Sequence, residues 1–287
     1  LYDNVPAAKE LFEKANEILG FRITDIMFAG TDEELKQTRV TQPAVFLHSV
    51  IMAKALGVKP DAAAGHSLGE FSALVVAGAL SFEDGLKLVS KRAMAMQAAC
   101  EAQPGTMAAI LGLDDKTVED ICASIDGVVV AANYNCPGQL VIGGDQAAVD
   151  KAAALAAQTG ARRCLPLKVS GPFHTALMQP AGDALREKFK TVSFAPMQCP
   201  VLFNCLGREK DAADSIPSLL EKQVHSAVRW EDTVRRLADL GVDTAIEIGP
   251  GRALTGFVKK TVGSAIACYP VETAAQLQQL IRTLQGA

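Results

Sequence analysis

Ala62-Ala63-Ala64-Gly65-His66-Ser67-Leu68-Gly69-Glu70 decides how this chain is read, because it runs a short apolar strand into a turn that presents a serine. The apolar, helix-periodic segment Leu68 to Leu80 leaves the turn on its far side. Glycines at 65 and 69 permit a turn tight enough to lift Ser67 clear of a sheet. The amide of Leu68, in the first turn of the new helix, is then expected to face the space above the serine. There it would stabilise an oxyanion with help from the helix dipole. Gly-x-Ser-x-Gly alone is a common pattern, shared by glycine-rich turns that carry an ordinary serine. The strand before it and the helix after it are what favour a nucleophile.

Downstream, the middle of the chain reads as a separate small unit. A strand over Met107 to Leu113 is followed by a helix over Asp115 to Ser124 and a strand over Val128 to Ala132. The turn Asn135-Cys136-Pro137-Gly138 leads to a strand at Gln139 to Gly143, a helix over Gln146 to Gln158 and a strand over Ala161 to Leu167. That βαββαβ order is the ferredoxin-like signature. Gln103-Pro104-Gly105 marks its entry and Val169-Ser170-Gly171-Pro172 its exit. The flanking segments, 1–103 and 168–287, alternate helices and strands as a larger α/β domain with a parallel sheet does. Its expected strands are Asp61 to Gly65, Pro200 to Cys205, Val242 to Ile248 and Ala265 to Pro270. One domain, 104–167, is thus expected to be inserted into another, and the cleft between two such domains favours a substrate.

Bulk composition narrows the function classes. At 287 residues and 49% hydrophobic, the chain can bury a full core. No apolar run approaches the roughly 20 residues of a membrane span. Leu1-Tyr2-Asp3-Asn4 leads into an amphipathic helix and does not read as a signal peptide. A formal charge of −4 without a basic cluster argues against nucleic acid as the main partner. The seven cysteines form no CxxC, and their odd, scattered set reads as reduced, buried thiols in a cytoplasmic protein. None of the four histidines stands at ligand spacing from a cysteine pair, so no metal site is expected.

Activating a serine takes a base, usually a histidine. His66 adjoins Ser67 in the turn and should point away from the direction of attack. His48 lies in the apolar helix Pro43 to Leu56 and reads as a packed core residue. His225, near a helix end, reads as structural or capping. By elimination the base is His174, in Ser170-Gly171-Pro172-Phe173-His174, a loop preceding the helix Ala176 to Lys190. Arg92 lies in the helix Ser81 to Cys100 among Val89, Ala93, Met94 and Met96. Either it is solvated on the polar face with Lys87 and Lys91, or it is a two-pronged clamp for a substrate carboxylate.

Thr41-Gln42-Pro43-Ala44, Gly65-His66-Ser67-Leu68-Gly69-Glu70, Arg92 with Met96-Gln97, Asn133 through Gln139, Phe173-His174 and Glu247-Ile248-Gly249-Pro250-Gly251 occur together and in this order. In them the chain closely resembles the malonyl-CoA:acyl-carrier-protein transacylases and the acyltransferase domains of polyketide synthases. The resemblance implies a hydrolase-like parallel-sheet α/β domain with an inserted ferredoxin-like subdomain, in agreement with the reading above. It makes Ser67 the acylated nucleophile, His174 its base and Arg92 the ligand of the malonyl carboxylate. It assigns the main-chain carbonyl of Gln223 to orienting the histidine, and it places Gln42 and Asn133 in the substrate cleft. Phe173 looks like the malonyl-selecting form, since methylmalonyl-selecting relatives usually carry serine there. Family members begin with a short strand and a Gly-Gln-Gly-Ser-Gln type loop that supplies a second oxyanion donor. No such segment is found in this sequence, so the natural protein is expected to extend further upstream.

The expected reaction is ping-pong transfer of malonyl from malonyl-CoA to the phosphopantetheine thiol of acyl carrier protein. It would supply fatty-acid synthesis, with no metal or redox cofactor, in a cytoplasmic monomer. A serine esterase or thioesterase is the enzymatic rival; the missing HGGG-type segment, the inserted unit and Arg92 stand against it. A carrier-docking domain with a degenerate site is the non-enzymatic rival, opposed by intact Ser67, His174 and Arg92.

Overall fold

In chain order the elements are α1 (Pro6–Leu19), α2 (Ile23–Ala29), α3 (Asp32–Leu35), α4 (Thr38–Leu56), β1 (Ala63–Ala64), α5 (Gly69–Val76) and α6 (Phe82–Ala102). Then come β2 (Thr106–Leu111), α7 (Asp115–Ser124), β3 (Val129–Cys136), β4 (Gln139–Gly144), α8 (Gln146–Thr159) and β5 (Arg163–Pro166). A 3₁₀ turn (Ala176–Met178) runs into α9 (Gln179–Phe189), followed by β6 (Val201–Phe203), β7 (Arg208–Glu209), α10 (Ile216–Gln223) and β8 (Val228–Arg229). The chain closes with α11 (Trp230–Asp239), β9 (Thr244–Ile248), α12 (Ala253–Val262), β10 (Ala267–Val271) and α13 (Ala274–Leu284). This computed structural model describes residues 1–169 and 171–286, so Ser170 of the expected exit turn lies outside the described residues. Two compact units emerge: residues 1–93, 192–201 and 237–287 form the first, and residues 94–191 and 202–236 the second.

The ferredoxin-like order appears in the second unit as β2-α7-β3-β4-α8-β5. Its sheet runs β5-β2-β4-β3-β8, and the pairs β2–β4, β2–β5 and β3–β4 are antiparallel. Period-two alternation lets both faces bury apolar side chains. Ala108, Ile110, Leu140 and Ile142 pack with Val118, Ile121, Val149 and Ala152 of the two helices. Met107, Ala109, Ala132 and Val141 form the opposite face, against which Phe173 packs. β8 extends the sheet parallel to β3, pairing Val228 with Asn133. The compact unit is therefore wider than the 104–167 motif, since it also holds 94–103, 168–191 and 202–236.

In the first unit β9 and β10 pair in parallel, with Thr244 opposite Ala267 and Ile248 opposite Val271. α12 connects them, and Leu277 and Leu280 of α13 pack with Met52 of α4 and Val271. β1 joins the strand region of β6 through Ala63 N–H, which donates to Pro200 O at 2.9 Å.

Several boundaries differ from the sequence expectation for local reasons. Pro43 invites a helix start because proline suits the first turn, yet α4 begins at Thr38 and carries Pro43 inside it. α5 stops at Val76, short of Leu80, because Gly78 turns left-handed at φ +75° and the Gly78 and Ala79 amides cap Val75 and Leu74 carbonyls. The helix expected from Ala176 to Lys190 opens as a 3₁₀ turn, and α9 proper starts beside Pro180. Of the seven cysteines, Cys100, Cys122 and Cys136 are buried and the other four are only half-buried, which corrects the expectation of uniformly buried thiols. Among the described residues no helix is long and apolar enough to cross a membrane.

Candidate active site

Only two non-glycine residues among those described have left-handed backbones: Ser67 at φ +54° and His174 at φ +59°. Such conformations cost roughly 1–3 kcal/mol for a residue with a Cβ, and they persist where the surroundings over-determine them. Each marks one cluster of candidate residues, one in each compact unit.

In the first unit the elbow at Ser67 is built by backbone contact. A Cβ added to Gly65 would sit 1.9 Å from the Gly69 carbonyl oxygen and 2.6 Å from the Glu70 nitrogen. A Cβ on Gly69 would enter open space, so the turn needs only the first of the two glycines for room. Gly65→Ala is therefore expected to force the elbow open, costing about 3 kcal/mol of stability in urea unfolding, a typical figure for overpacked sites. Gly69→Ala, measured alongside, should cost little. Equal losses would show that the Gly65 contact does not hold the turn closed.

The chain leaves Ser67 directly into α5. Gly69, Glu70 and Phe71 N–H groups donate to the carbonyls of His66, Ser67 and Leu68. The Leu68 N–H donates to no acceptor among the described residues, as suits a helix's first turn. Arg92 reaches the serine from α6: its Nη2 donates to Ser67 Oγ at 2.9 Å, and its Nη1 donates to Gln42 Oε1 of α4 at 2.7 Å. The side chain is 1% exposed, which settles the choice left open by the sequence against a solvated arginine. Val89, Ala93 and Met96 are buried as expected, but Met94 is exposed. The Phe71 ring lies 5.7 Å from the guanidinium carbon, within cation–π range. Burial pulls the Arg92 pKa down to about 10 and the Glu70 charge opposes that pull, so the group stays cationic at neutral pH.

In the second unit His174 is 4% exposed and gripped by the end of α10. Its Nδ1 lies 2.9 Å from the Gln223 carbonyl oxygen, and its backbone N–H donates to Val224 O at 3.2 Å. A carbonyl only accepts, so Nδ1 carries the proton and Nε2 keeps its lone pair. That is the tautomer a general base requires. The loop before it is held close by Gly171, where an added Cβ would lie 2.1 Å from Cys100 Sγ. Burial, aided by Glu101, pushes the Cys100 thiol up to about 11, so it is a packing group and not a thiolate at neutral pH. Asn133 Oδ1 is buried without a partner among the described residues. Phe173 is fixed by its contact with the sheet face that includes Ala132, the neighbour of Asn133.

Of the other histidines, two are placed away from this role. His48 Nε2 meets the Glu272 carbonyl at 2.8 Å, and the His225 ring lies against Gly182 of α9. Phe71 lies against Arg92 and the buried Glu70 acts on its charge, and the sequence assigns neither of them a role. The available signal was a carboxylate placed in the apolar first turns of a helix, where a charge needs a counter-charge.

The family model described as an acyl transferase domain matches residues 1–286, and the chain belongs to that family. The malonyl CoA-acyl carrier protein transacylase of Bacillus subtilis (strain 168) is 41% identical over 291 residues, spanning 99% of this chain and 92% of that one. The crystal structure of malonyl CoA-acyl carrier protein transacylase from Clostridium perfringens superposes with a TM-score of 0.94 at 37% identity, covering 99% of this chain and 91% of that one. A malonyl-transacylase solved in complex with its type II polyketide synthase acyl-carrier protein gives 0.93 at 36% identity, covering 98% and 93%. The α/β fold class with a subdomain follows from these likenesses.

Proposed function

We propose that this chain transfers malonyl groups from malonyl-CoA to the phosphopantetheine thiol of acyl carrier protein, supplying fatty-acid synthesis. The carrying observation is a buried, cationic Arg92 hydrogen-bonded to a strained serine at a strand-to-helix elbow. Ser67 Oγ attacks the thioester carbonyl while His174 Nε2 takes its proton, and the Leu68 amide receives the developing oxyanion. Collapse of the tetrahedral adduct expels coenzyme A as a thiol, protonated by His174, and leaves malonyl-Ser67. The carrier thiol then attacks through the same groups in reverse. The Gln223 carbonyl holds the imidazole in its working tautomer, the role an aspartate has in a triad. These steps call on no metal or redox cofactor.

Substrate choice falls to the remaining residues. Arg92 grips the malonyl carboxylate in place of the Ser67 hydroxyl, while Gln42 Oε1 stays on Nη1 and keeps the guanidinium aimed. Asn133 offers a buried polar atom to the acyl chain, and Phe173 crowds an α-methyl group. We further propose a cytoplasmic monomer whose partners are malonyl-CoA and the carrier protein, with neither nucleic acid nor membrane involved. The 104–167 motif serves as its ferredoxin-like subdomain, and 1–103 with 168–287 as the catalytic domain.

Arg92→Ala tests the assignment by selectivity. A charge-assisted hydrogen bond contributes about 1.5–3 kcal/mol, so kcat/KM for malonyl-CoA should fall one to two orders of magnitude. Acetyl-CoA, lacking a carboxylate, should lose little. Arg92→Lys should recover part of the preference, because an ammonium cannot grip a carboxylate in two-pronged fashion. Equal losses on both substrates would make Arg92 structural.

A further inference from the structure

His174 keeps a left-handed backbone at φ +59°, a strain that only its surroundings can maintain. Within the second unit those surroundings are fixed on both sides of it. Upstream, Gly171 lies against Cys100, and Pro172 packs on Gly105, where an added Cβ would sit 2.7 Å from Pro172 Cγ. Downstream, the buried Thr175 caps the 3₁₀ turn, its Oγ1 accepting from Leu177 N–H at 3.3 Å. The same hydroxyl donates to Pro172 O at 2.7 Å and so closes a ring across Phe173 and His174. The Thr175 methyl faces Gly143 of β4, where an added Cβ would lie 3.2 Å from Thr175 Cγ2. The hydroxyl thus donates once and accepts once in a buried place, and the reaction above does not use it.

We propose that Thr175 is a positioning residue for the base: its hydroxyl ties Pro172 to the start of the 3₁₀ turn and so holds His174 in the backbone conformation that sets Nδ1 on the Gln223 carbonyl. The inference rests on the reading of His174 as the base. Without the hydroxyl, Pro172 O and Leu177 N–H each lose this partner, and the strained residue between them relaxes toward an ordinary backbone region. The imidazole then leaves its seat on Gln223, and Nε2 loses its aim. A base misplaced by about 1 Å loses roughly 10²-fold in rate, whereas substrate binding, which uses other groups, is spared.

The test measures single-turnover release of coenzyme A from malonyl-CoA in Thr175→Val and Thr175→Ser, each made in the wild-type and in the His174→Ala enzyme. Thr175→Val keeps the shape without the hydroxyl; it should lower the saturating rate roughly 10²-fold and leave the half-saturating malonyl-CoA concentration within about twofold. Thr175→Ser retains the hydroxyl and should stay within about threefold of wild type. In the His174→Ala enzyme, Thr175→Val should change the rate by less than about twofold, because no base remains to be misplaced. A purely structural role would give the same fold-loss in both backgrounds. That result, or a wild-type rate in Thr175→Val while His174→Ala is slow, would overturn the role of Thr175 and leave His174 as the base. A wild-type rate in His174→Ala would instead remove the reading beneath both. If Thr175→Val does not melt cooperatively, Thr175→Ala is read in the same two backgrounds. Failure of both variants to fold would overturn the proposal, since the hydroxyl would then hold the fold and not the base.

Discussion

Ser67→Ala is expected to leave no malonyl-enzyme and to reduce transfer by roughly 10⁶-fold, the loss seen when the serine of an acyl-transferring constellation is removed. The fold should survive. Alanine shares the left-handed strain of serine at φ +54°, so the elbow gains no new backbone penalty. One buried donor, Arg92 Nη2, loses its acceptor, which costs about 1–3 kcal/mol. Circular dichroism with thermal melting should therefore show a folded, modestly weakened protein, and mass spectrometry after malonyl-CoA should show no adduct. Retained labelling would move the nucleophile elsewhere. Cys100 and Cys122 are poor alternatives, because burial pushes both thiols up to about 11.

His174→Ala should slow acylation by about 10²–10⁴-fold, the contribution of a positioned acid–base group. The size follows from how completely the ring is committed. Nδ1 is fixed on the Gln223 carbonyl, and only Nε2 is left to take a proton. Single-turnover release of coenzyme A measures the step without interference from carrier binding. An unchanged rate would pass the role to His225 or His48. Burial lowers the pKa of His225, and His48 is held on the Glu272 carbonyl by Nε2.

The parts of the fold legible in the sequence were those with a strong period or a clear stop. α7 was placed to the residue, since Asp114 caps it and its side chain accepts from Thr117 N–H. The βαββαβ order was readable because Ala108, Ile110 and Met107, Ala109 alternate between two buried faces. β8 was not, because two residues carry no period, and Val228 enters the sheet only through pairing with Asn133 across a long chain separation. At the site, Ser67 announced itself by its glycines, and His174 was left after the other histidines were placed. The burial of Arg92 could not be read from α6, whose polar positions Lys87 and Lys91 made a solvated arginine the more natural reading. What buries it is supplied by α4 and α5, through Gln42 and Phe71.

The central claim is a malonyl-serine on Ser67 that is handed to a thiol. Intact-mass analysis of the protein mixed with malonyl-CoA, followed by peptide mapping and then by addition of holo acyl carrier protein, tests it directly. The account predicts one malonyl adduct on the peptide containing Ser67, discharged by the carrier far faster than by water, with acetyl-CoA giving a weaker adduct. A label on a cysteine or another serine, or an adduct lost to water as fast as to the carrier thiol, would contradict it.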